Sequence, residues 1–207
     1  MGTLRLFFCV ELEEGLKARL DRITQRLKRL PVRASWVRAE NLHVTLKFLG
    51  EVDEALVPRL RAAAEAALSS AEIDGELVWR LDRLGAFPDA ERPRVVWVGS
   101  TREPEGLRRL VRALERALEP LGFMPEPEGR FVTHVTLGRV KDRPPSPGLR
   151  ALSRALKEAE AEGFAHEARV RALTLMRSEL TPQGAIYTPV FRLPFPKREQ
   201  EREQEEG

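Results

Sequence analysis

The tetrapeptide His-Val-Thr-Leu occurs twice in this chain, at His43–Leu46 and again at His134–Leu137. The chain of 207 residues contains three histidines, and two of them begin these copies. Alternate residues of a β-strand point to the same face, so the histidine and threonine of each copy would share one face. The valine and leucine would then point to the opposite face. Each copy therefore predicts an imidazole and a hydroxyl side by side on a strand that apolar residues anchor.

The elements around the two copies follow the same order. Hydrophobic periodicity predicts a strand, a helix, the motif strand, a second helix and a further strand in each half. In the first half these elements cover residues 4–10, 13–30, 42–49, 54–70 and 73–84. In the second half they cover residues 94–98, 105–121, 131–140, 148–162 and 165–176, and a final strand covers 185–193. The matching order around a matching tetrapeptide indicates an internal duplication.

We therefore predict an α+β fold with two pseudo-symmetric lobes and a central cleft. The sheets are expected to be mostly antiparallel, with the helices on their outer face. One bilobal domain is predicted over residues 1–196. The tail 197–207, which is almost entirely charged residues and glutamine, is expected to be disordered.

Composition limits the class of protein. A hydrophobic content of 42% is enough for a packed core. Cys9, the single cysteine, lies in an apolar run and is expected to be a small buried side chain. The lack of a possible internal disulfide fits a reducing compartment, and no stretch approaches the length of a membrane span. We expect a cytoplasmic, soluble monomer that does not act at a membrane.

The paired histidines predict phosphoester chemistry. Histidine has an ordinary pKa of about 6.5 and exchanges protons near neutrality. A neutral His43 or His134 can take a proton from water, while the other, protonated, gives a proton to the leaving oxygen. The hydroxyls of Thr45 and Thr136 can donate to nonbridging phosphate oxygens, where charge grows in the transition state. His166 has no such partner and is expected to be an ordinary residue at a strand edge.

Other chemistries have little support in the sequence. A zinc site needs three or four ligands, and here the two motif histidines are far apart in sequence and each has threonine at the second position after it. The chain lacks a glycine-rich phosphate loop and a Gly-x-Ser-x-Gly nucleophile motif. We therefore expect no metal ion and no cofactor.

Beyond the tetrapeptides, the chain resembles a known family over about residues 3–195. It resembles the two-histidine phosphoesterase superfamily and, within it, the RNA 2′,3′-cyclic phosphodiesterases, which are also called RNA 2′-5′ ligases. The segments that carry the resemblance are Arg5–Phe8, Trp36–Gly50, Leu84–Pro88, Arg92–Trp97, Pro120–Phe123, His134–Val140, Arg177–Leu180 and Gly184–Tyr187.

The resemblance implies hydrolysis of an RNA 2′,3′-cyclic phosphate to a 2′-phosphate without a metal or nucleotide cofactor. It also implies a weak, reversible 2′-5′ ligation of RNA ends. His43 and His134 would be the catalytic pair, and Thr45 and Thr136 would hold the phosphate. We predict that His43 is the acid toward the 3′ oxygen and that His134 is the base toward water.

Arg139 matches a family arginine that contacts phosphate. Strict strand alternation would turn Arg139 away from His134, so this role requires the strand to bend or end near Gly138. Phe7 or Phe8 could stack on a base, but the sequence favours core strand positions for both residues.

Two other functions remain open. One is a cyclic phosphodiesterase for small nucleotides or ADP-ribose-derived cyclic phosphates, because the same site would serve it. The other is a non-catalytic module that binds RNA ends, which the arginine-rich composition would fit.

Overall fold

The computed structural model describes residues 2–127 and 131–197 of the chain. Its α-helices are α1 (Glu14–Leu27), α2 (Val57–Ser70), α3 (Glu105–Leu118) and α4 (Pro147–Glu162). Its strands are β1 (Thr3–Glu11), β2 (Ala34–Trp36), β3 (His43–Asp53), β4 (Leu77–Leu81), β5 (Arg83–Phe87), β6 (Val95–Gly99), β7 (His134–Val140), β8 (His166–Val170), β9 (Ala172–Thr181) and β10 (Gly184–Pro194). The predicted disordered tail, apart from Lys197, lies outside the described residues.

The main sheet has the strand order β10-β9-β1-β3-β7-β6-β5, and β2 pairs with β7. Every pairing in it is antiparallel. The order β5-β6-β7 mirrors β9-β1-β3, since β6 and β1 begin the two repeats and β7 and β3 carry the two motifs. The strands β4 and β8, which follow the second helix of each repeat, form a separate two-stranded sheet. The predicted α+β class and the two similar halves are confirmed.

The repeats exchange strands. β5 belongs to the first repeat but pairs with β6 of the second, and β9 belongs to the second repeat but pairs with β1 of the first. Each motif strand therefore lies in a sheet that both halves of the chain complete.

Alternating burial along the strands places one core between the main sheet and the helices. On β1, Leu6, Phe8 and Val10 are fully buried in the cluster that also contains the helix leucines. On α3, the predicted apolar stripe is buried, with Leu110 and Leu114 at its centre. Burial of each such side chain is worth about 1.5–3 kcal/mol, so these stripes hold the helices on one face of the sheet.

The opposite face of β1 carries a smaller buried cluster of Phe7, Cys9 and Met176, against which Tyr187 packs. Cys9 is fully buried as predicted, and burial raises the pKa of its thiol far above the ordinary value. This cluster is therefore separate from the main core, and it lies on the face of β1 that points away from the helices.

Several predicted elements differ from the structure. The motif strand β3 does not end before Gly50 but continues to Asp53, because Gly50 adopts a φ of 73° within an irregular stretch of pairing with β1. The two strands predicted at 73–84 and 165–176 are each divided, into β4 and β5 and into β8 and β9. In both cases the two parts join different sheets. The short strand β2 was not predicted.

Among the described residues, no helix combines the length and the apolar character that crossing a membrane requires.

Candidate active site

The two motif strands β3 and β7 are neighbours at the centre of the main sheet. They pair antiparallel through Val44 and Val135, which are fully buried on the helix face. The histidine and threonine of each motif alternate with buried residues and are half-buried on the other face. The predicted alternation is therefore present in both strands.

The antiparallel register sets the arrangement of the four polar side chains. Extension of the Val44–Val135 register by one residue places His43 opposite Thr136 and Thr45 opposite His134. The two histidines thus take diagonal positions across the junction. Within the described residues the β3–β7 ladder has this single pair, and the strands part on both sides of it. Their separation leaves room for a cleft.

A cleft of about 410 Å³ lies over this junction. All five residues that the sequence predicted for the site line it: His43, Thr45, His134, Thr136 and Arg139. Asn41, Lys47, Phe48, Val132 and Tyr187 are also among its walls. His166 begins β8 beside the ring of Phe164 and is not part of this lining.

The two histidines have matching backbone partners. Nδ1 of His43 lies 2.7 Å from the carbonyl oxygen of Asn41, and Nδ1 of His134 lies 2.7 Å from that of Val132. A carbonyl can only accept, so Nδ1 carries the proton in both rings and Nε2 of the neutral ring is a free base. Nε2 of His43 lies 2.9 Å from Oγ1 of Thr45, which donates to it in this tautomer.

Burial controls the protonation of both rings. Burial lowers the pKa of His43, and the carbonyl of Asn41 partly offsets this effect by stabilising the protonated ring. Burial likewise lowers the pKa of His134, and the carbonyl of Val132 opposes it. Both imidazoles are therefore biased toward the neutral form.

Nearby charges distinguish the two histidines. Glu11 is the cross-strand partner of His43, and its carboxylate acts to raise the pKa of that ring. Gly99 holds the equivalent place beside His134. The nearby guanidinium of Arg139 acts instead to lower the pKa of His134, although Glu103 opposes it. His134 and Lys17 act to lower the pKa of His43, and the effect of His134 is larger than that of Glu11, so the two rings have different charged neighbours but neither is singled out for protonation by them.

Arg139 reaches the cleft through a β-bulge. Trp97 of β6 pairs with Thr136, whereas the preceding Val96 pairs with Gly138, so Leu137 is an extra residue in β7. The bulge reverses the alternation after Leu137, and Arg139 emerges on the same face as the histidine. The bend that an Arg139 contact to phosphate requires near Gly138 is present.

The same bulge occurs in the first repeat and exposes Phe48. Cys9 of β1 pairs with Thr45 and Phe8 pairs with Lys47, so Leu46 is the extra residue. Phe48 therefore holds the position that Arg139 holds in the second repeat, and it is 56% exposed. Phe7 and Phe8 are at most 1% exposed, in agreement with the core positions that the sequence favoured for them over base stacking. The sequence could have indicated Phe48, because it follows Thr45 by three residues, as Arg139 follows Thr136.

Two successive stretches of the chain, residues 10–97 and 98–187, each match the model of the LigT-like phosphoesterases. The chain belongs to the LigT-like phosphoesterase family. The division between the two matches falls within β6, which begins the second repeat. Comparison by sequence therefore finds the same duplication that the strand order shows.

Relatives of this LigT-like phosphoesterase cover nearly its whole length. An RNA 2′,3′-cyclic phosphodiesterase of Methanothermobacter thermautotrophicus is 37% identical over 192 residues, which are 92% of this chain and 99% of that protein. A protein of the same name from Aeropyrum pernix is 38% identical over 176 residues, 84% of this chain and 94% of its own.

Solved structures show the same fold. A protein of Thermus thermophilus superposes with a TM-score of 0.69 at 29% identity and covers 94% of this chain and 100% of its own. Escherichia coli LigT complexed with 3′-AMP has a TM-score of 0.66 at 26% identity and covers 94% of this chain and 99% of its own.

Lys47 is a buried charge in this LigT-like phosphoesterase that the sequence pattern did not single out. Its Nζ lies 3.2 Å from Oε1 of Glu115 on α3 and donates to the carbonyl oxygen of Met124 at 2.6 Å. The same carboxylate oxygen accepts from the backbone N–H of Glu126 at 2.8 Å. The ion pair therefore fastens the loop after α3 to β3 along one wall of the cleft.

Within residues 2–127 and 131–197, no three His, Cys, Asp or Glu side chains gather in a way that could hold a metal ion.

Proposed function

We propose that this protein hydrolyses the 2′,3′-cyclic phosphate at an RNA end to a 2′-phosphate, with His43 and His134 as acid and base. The observation that carries the proposal is the pair of His-x-Thr triplets on adjacent antiparallel strands, both facing one cleft. The names of the relatives, RNA 2′,3′-cyclic phosphodiesterases, support the substrate class.

In the proposed reaction, an O–P bond forms from water while the bond between phosphorus and O3′ breaks. Nε2 of His134 takes a proton from the water, and protonated Nε2 of His43 gives a proton to O3′. Two neighbouring charges fit this division, since Glu11 favours the protonated form of His43 and Arg139 favours the neutral form of His134, while His134 and Lys17 act in the opposite sense on His43. His134 leaves the reaction protonated and His43 neutral, and exchange with solvent restores the starting state.

Three side chains are proposed to bind the phosphate. The hydroxyls of Thr45 and Thr136 lie on the same face as the histidines and can donate to nonbridging oxygens. The guanidinium of Arg139 presents a planar fork that fits two phosphate oxygens at once. These donors would stabilise the negative charge that builds up as water attacks.

Phe48 is the proposed platform for the terminal base. In the antiparallel register, Phe48 lies beyond Thr45 at one end of the motif junction, and Arg139 lies beyond Thr136 at the other. The ring of Phe48 packs on the buried ring of Phe7, with the centroids 5.5 Å apart. A supported, exposed aromatic face can stack on any base, which suits RNA ends of varied sequence.

Two activities share this site chemistry. A 5′-hydroxyl in place of the water would give a 2′-5′ linkage, which is the proposed reversible ligation. A cleft of about 410 Å³ also suits one nucleotide, so small cyclic nucleotides are a second candidate substrate.

The deciding experiment uses an oligoribonucleotide with a 2′,3′-cyclic phosphate end, incubated with the protein in excess chelator. Phosphorus NMR should show a 2′-phosphate product. A 3′-phosphate product would contradict the proposed bond cleavage, and loss of activity in chelator would contradict the metal-independent mechanism. A 2′,3′-cyclic mononucleotide in parallel separates the two candidate substrates by their kcat/KM.

A further inference from the structure

Asn41, the single asparagine of the chain, makes two contacts at the site. Its carbonyl oxygen accepts the Nδ1 proton of His43 at 2.7 Å, which any residue at this position could do. Its carboxamide Nδ2 donates to the carbonyl oxygen of Ala185 at 2.8 Å, which requires the side chain. The role of the asparagine side chain must therefore lie in its contact with Ala185.

Ala185 lies in β10, two residues before Tyr187 and on the same face. The ring of Tyr187 meets the imidazole of His43 edge-on, with the centroids 5.3 Å apart, and meets Phe7 edge-on at 5.1 Å. Tyr187 thus covers one side of His43. The Asn41 carboxamide fastens the hairpin of β9 and β10 beside this contact.

The second repeat has only the first of these contacts. Val132 supplies the carbonyl for His134, but its side chain has no hydrogen-bonding group. The ring of Phe87 from β5 meets His134 edge-on at 5.2 Å, and β5 is paired along its length with β6. Tyr187 is also held in a sheet, since it pairs with Ser178 of β9, but β9 pairs with β1 only from Cys9↔Thr174 to Leu6↔Arg177. The part of the β9–β10 hairpin that carries Ala185 and Tyr187 therefore extends beyond the pairing with β1.

We propose that the carboxamide of Asn41 is a positioning group for His43: it holds Tyr187 against the imidazole and so fixes the ring and its degree of burial. This role rests on the proposed function only in assigning His43 to catalysis. The titratable and charged groups around His43 and Tyr187 are Glu11, Cys9 and Arg5 on β1, Lys17 on α1, and His134 and Arg139 on β7. Asn41→Leu changes none of these groups.

The test is a histidine NMR titration of the full chain, which has three imidazole signals to follow. Asn41→Leu should raise the pKa of His43 by at least about 0.5 toward its ordinary value, because Tyr187 no longer excludes water from it. His166, which lies outside the cleft lining, should titrate as in the wild type, and an unchanged far-UV circular dichroism spectrum should show that the variant is folded. If Asn41→Leu fails to fold, Asn41→Ala gives the same readout with a smaller side chain.

Kinetics and a double-mutant cycle complete the test. Asn41→Leu should lower kcat by about ten- to a hundredfold with little change in KM, since a misplaced imidazole loses proton transfer rather than binding. In a Tyr187→Ala background, Asn41→Leu should have almost no further effect on His43. Additive effects would overturn the proposal, and so would an unchanged titration of His43.

Arg38→Ala is the matched control. Arg38 donates to the carbonyl oxygen of Gln183 in the same hairpin through an exposed bond of 3.2 Å. Its loss should leave the pKa of His43 unchanged, and an equal shift would overturn the specific role of Asn41. The titration needs no substrate, so a wild type that failed to open the cyclic phosphate would remove the proposed function and leave this result standing.

Discussion

Phe48 and Arg139 occupy equivalent positions in the two repeats, each three residues after a motif threonine and directly beyond a matching β-bulge. The two repeats therefore build the same backbone and present different chemistry at its ends. One end of the cleft offers an aromatic face, and the other offers a guanidinium. The two ends of an otherwise two-fold arrangement therefore differ, and in the proposed function this difference would orient the substrate.

If Phe48 stacks on the terminal base, its removal should weaken substrate binding. Phe48→Ala should raise KM for a cyclic-phosphate substrate about tenfold with a smaller effect on kcat, because stacking contributes about 1–3 kcal/mol per base. Phe48→Trp should retain binding. Steady-state kinetics test this, with Ile186→Ala as the control for loss of another exposed apolar side chain. An equal rise of KM in both alanine variants would count against stacking.

If Arg139 contacts the phosphate, its removal should destabilise the transition state. Arg139→Ala should lower kcat by about 10²–10³, as expected for removal of a donor to developing negative charge. Arg139→Lys should recover only a small part of the rate, because a point charge cannot form the planar double contact. Arg154→Ala on α4 removes an arginine outside the cleft and should have no effect on kcat. Full activity in Arg139→Lys would disprove the bidentate contact.

Removal of either histidine should stop proton transfer. His43→Ala and His134→Ala should each lower kcat by about 10²–10⁴, the usual contribution of a general acid or base. His166→Ala, the third histidine, should keep wild-type turnover because it lies outside the cleft lining. Single-turnover measurement with an oligoribonucleotide gives the rates, and near-normal turnover in either cleft variant would exclude that residue from the pair.

The pH dependence follows from the lowered pKa values of both rings. In the proposed mechanism the free enzyme is active when His134 is neutral and His43 is protonated. A plot of kcat/KM against pH should therefore be bell-shaped, with its acid limb at the pKa of the base and its alkaline limb at the pKa of the acid. Burial lowers both pKa values, which puts the maximum of kcat/KM below about pH 6.5.

A bound anionic phosphate should raise the pKa of both rings by stabilising their positive charge. The maximum of kcat should therefore lie at higher pH than that of kcat/KM. Coincident maxima of the two parameters, or a rate independent of pH between about pH 5 and 8, would contradict the acid–base assignment.

The bulge that exposes Arg139 can be tested through Gly138. A Cβ at Gly138 would lie 2.5 Å from Cε3 of Trp36, so Gly138→Ala must displace the indole or the strand. It should lower the free energy of unfolding by about 1–3 kcal/mol and lower kcat as Arg139 shifts. Gly15→Ala, where nothing lies within 4 Å, should leave both unchanged or slightly stabilise α1. Addition of Trp36→Ala should restore part of the loss in Gly138→Ala.

The helices and the motif strands could be predicted because each carries a local period. The leucines of α3 recur at helical spacing, and the alternation of His43 and Thr45 with buried residues is visible in the sequence itself. The duplication was also visible, since the same tetrapeptide recurs within the same order of elements.

The remaining features depend on contacts that a local pattern does not contain. Asp82 alone separates β4 from β5, and the hydrophobic pattern of the sequence shows no break there. The division is visible only because the two strands pair in different sheets. Strand β2 has three residues, too few to show a period. The direction of Arg139 depends on which residue of β6 pairs with Gly138, and the role of Asn41 depends on a hairpin 144 residues away.

The exchange of β5 and β9 between the repeats has a consequence for how far the two repeats can differ in sequence. In a dimer of two identical single repeats that exchanged the equivalent strands, both copies would have the same sequence. Such a pair would be compelled to carry identical residues at both ends of its cleft. Because both repeats lie in one polypeptide, each can have its own residues, and one has a phenylalanine where the other has an arginine.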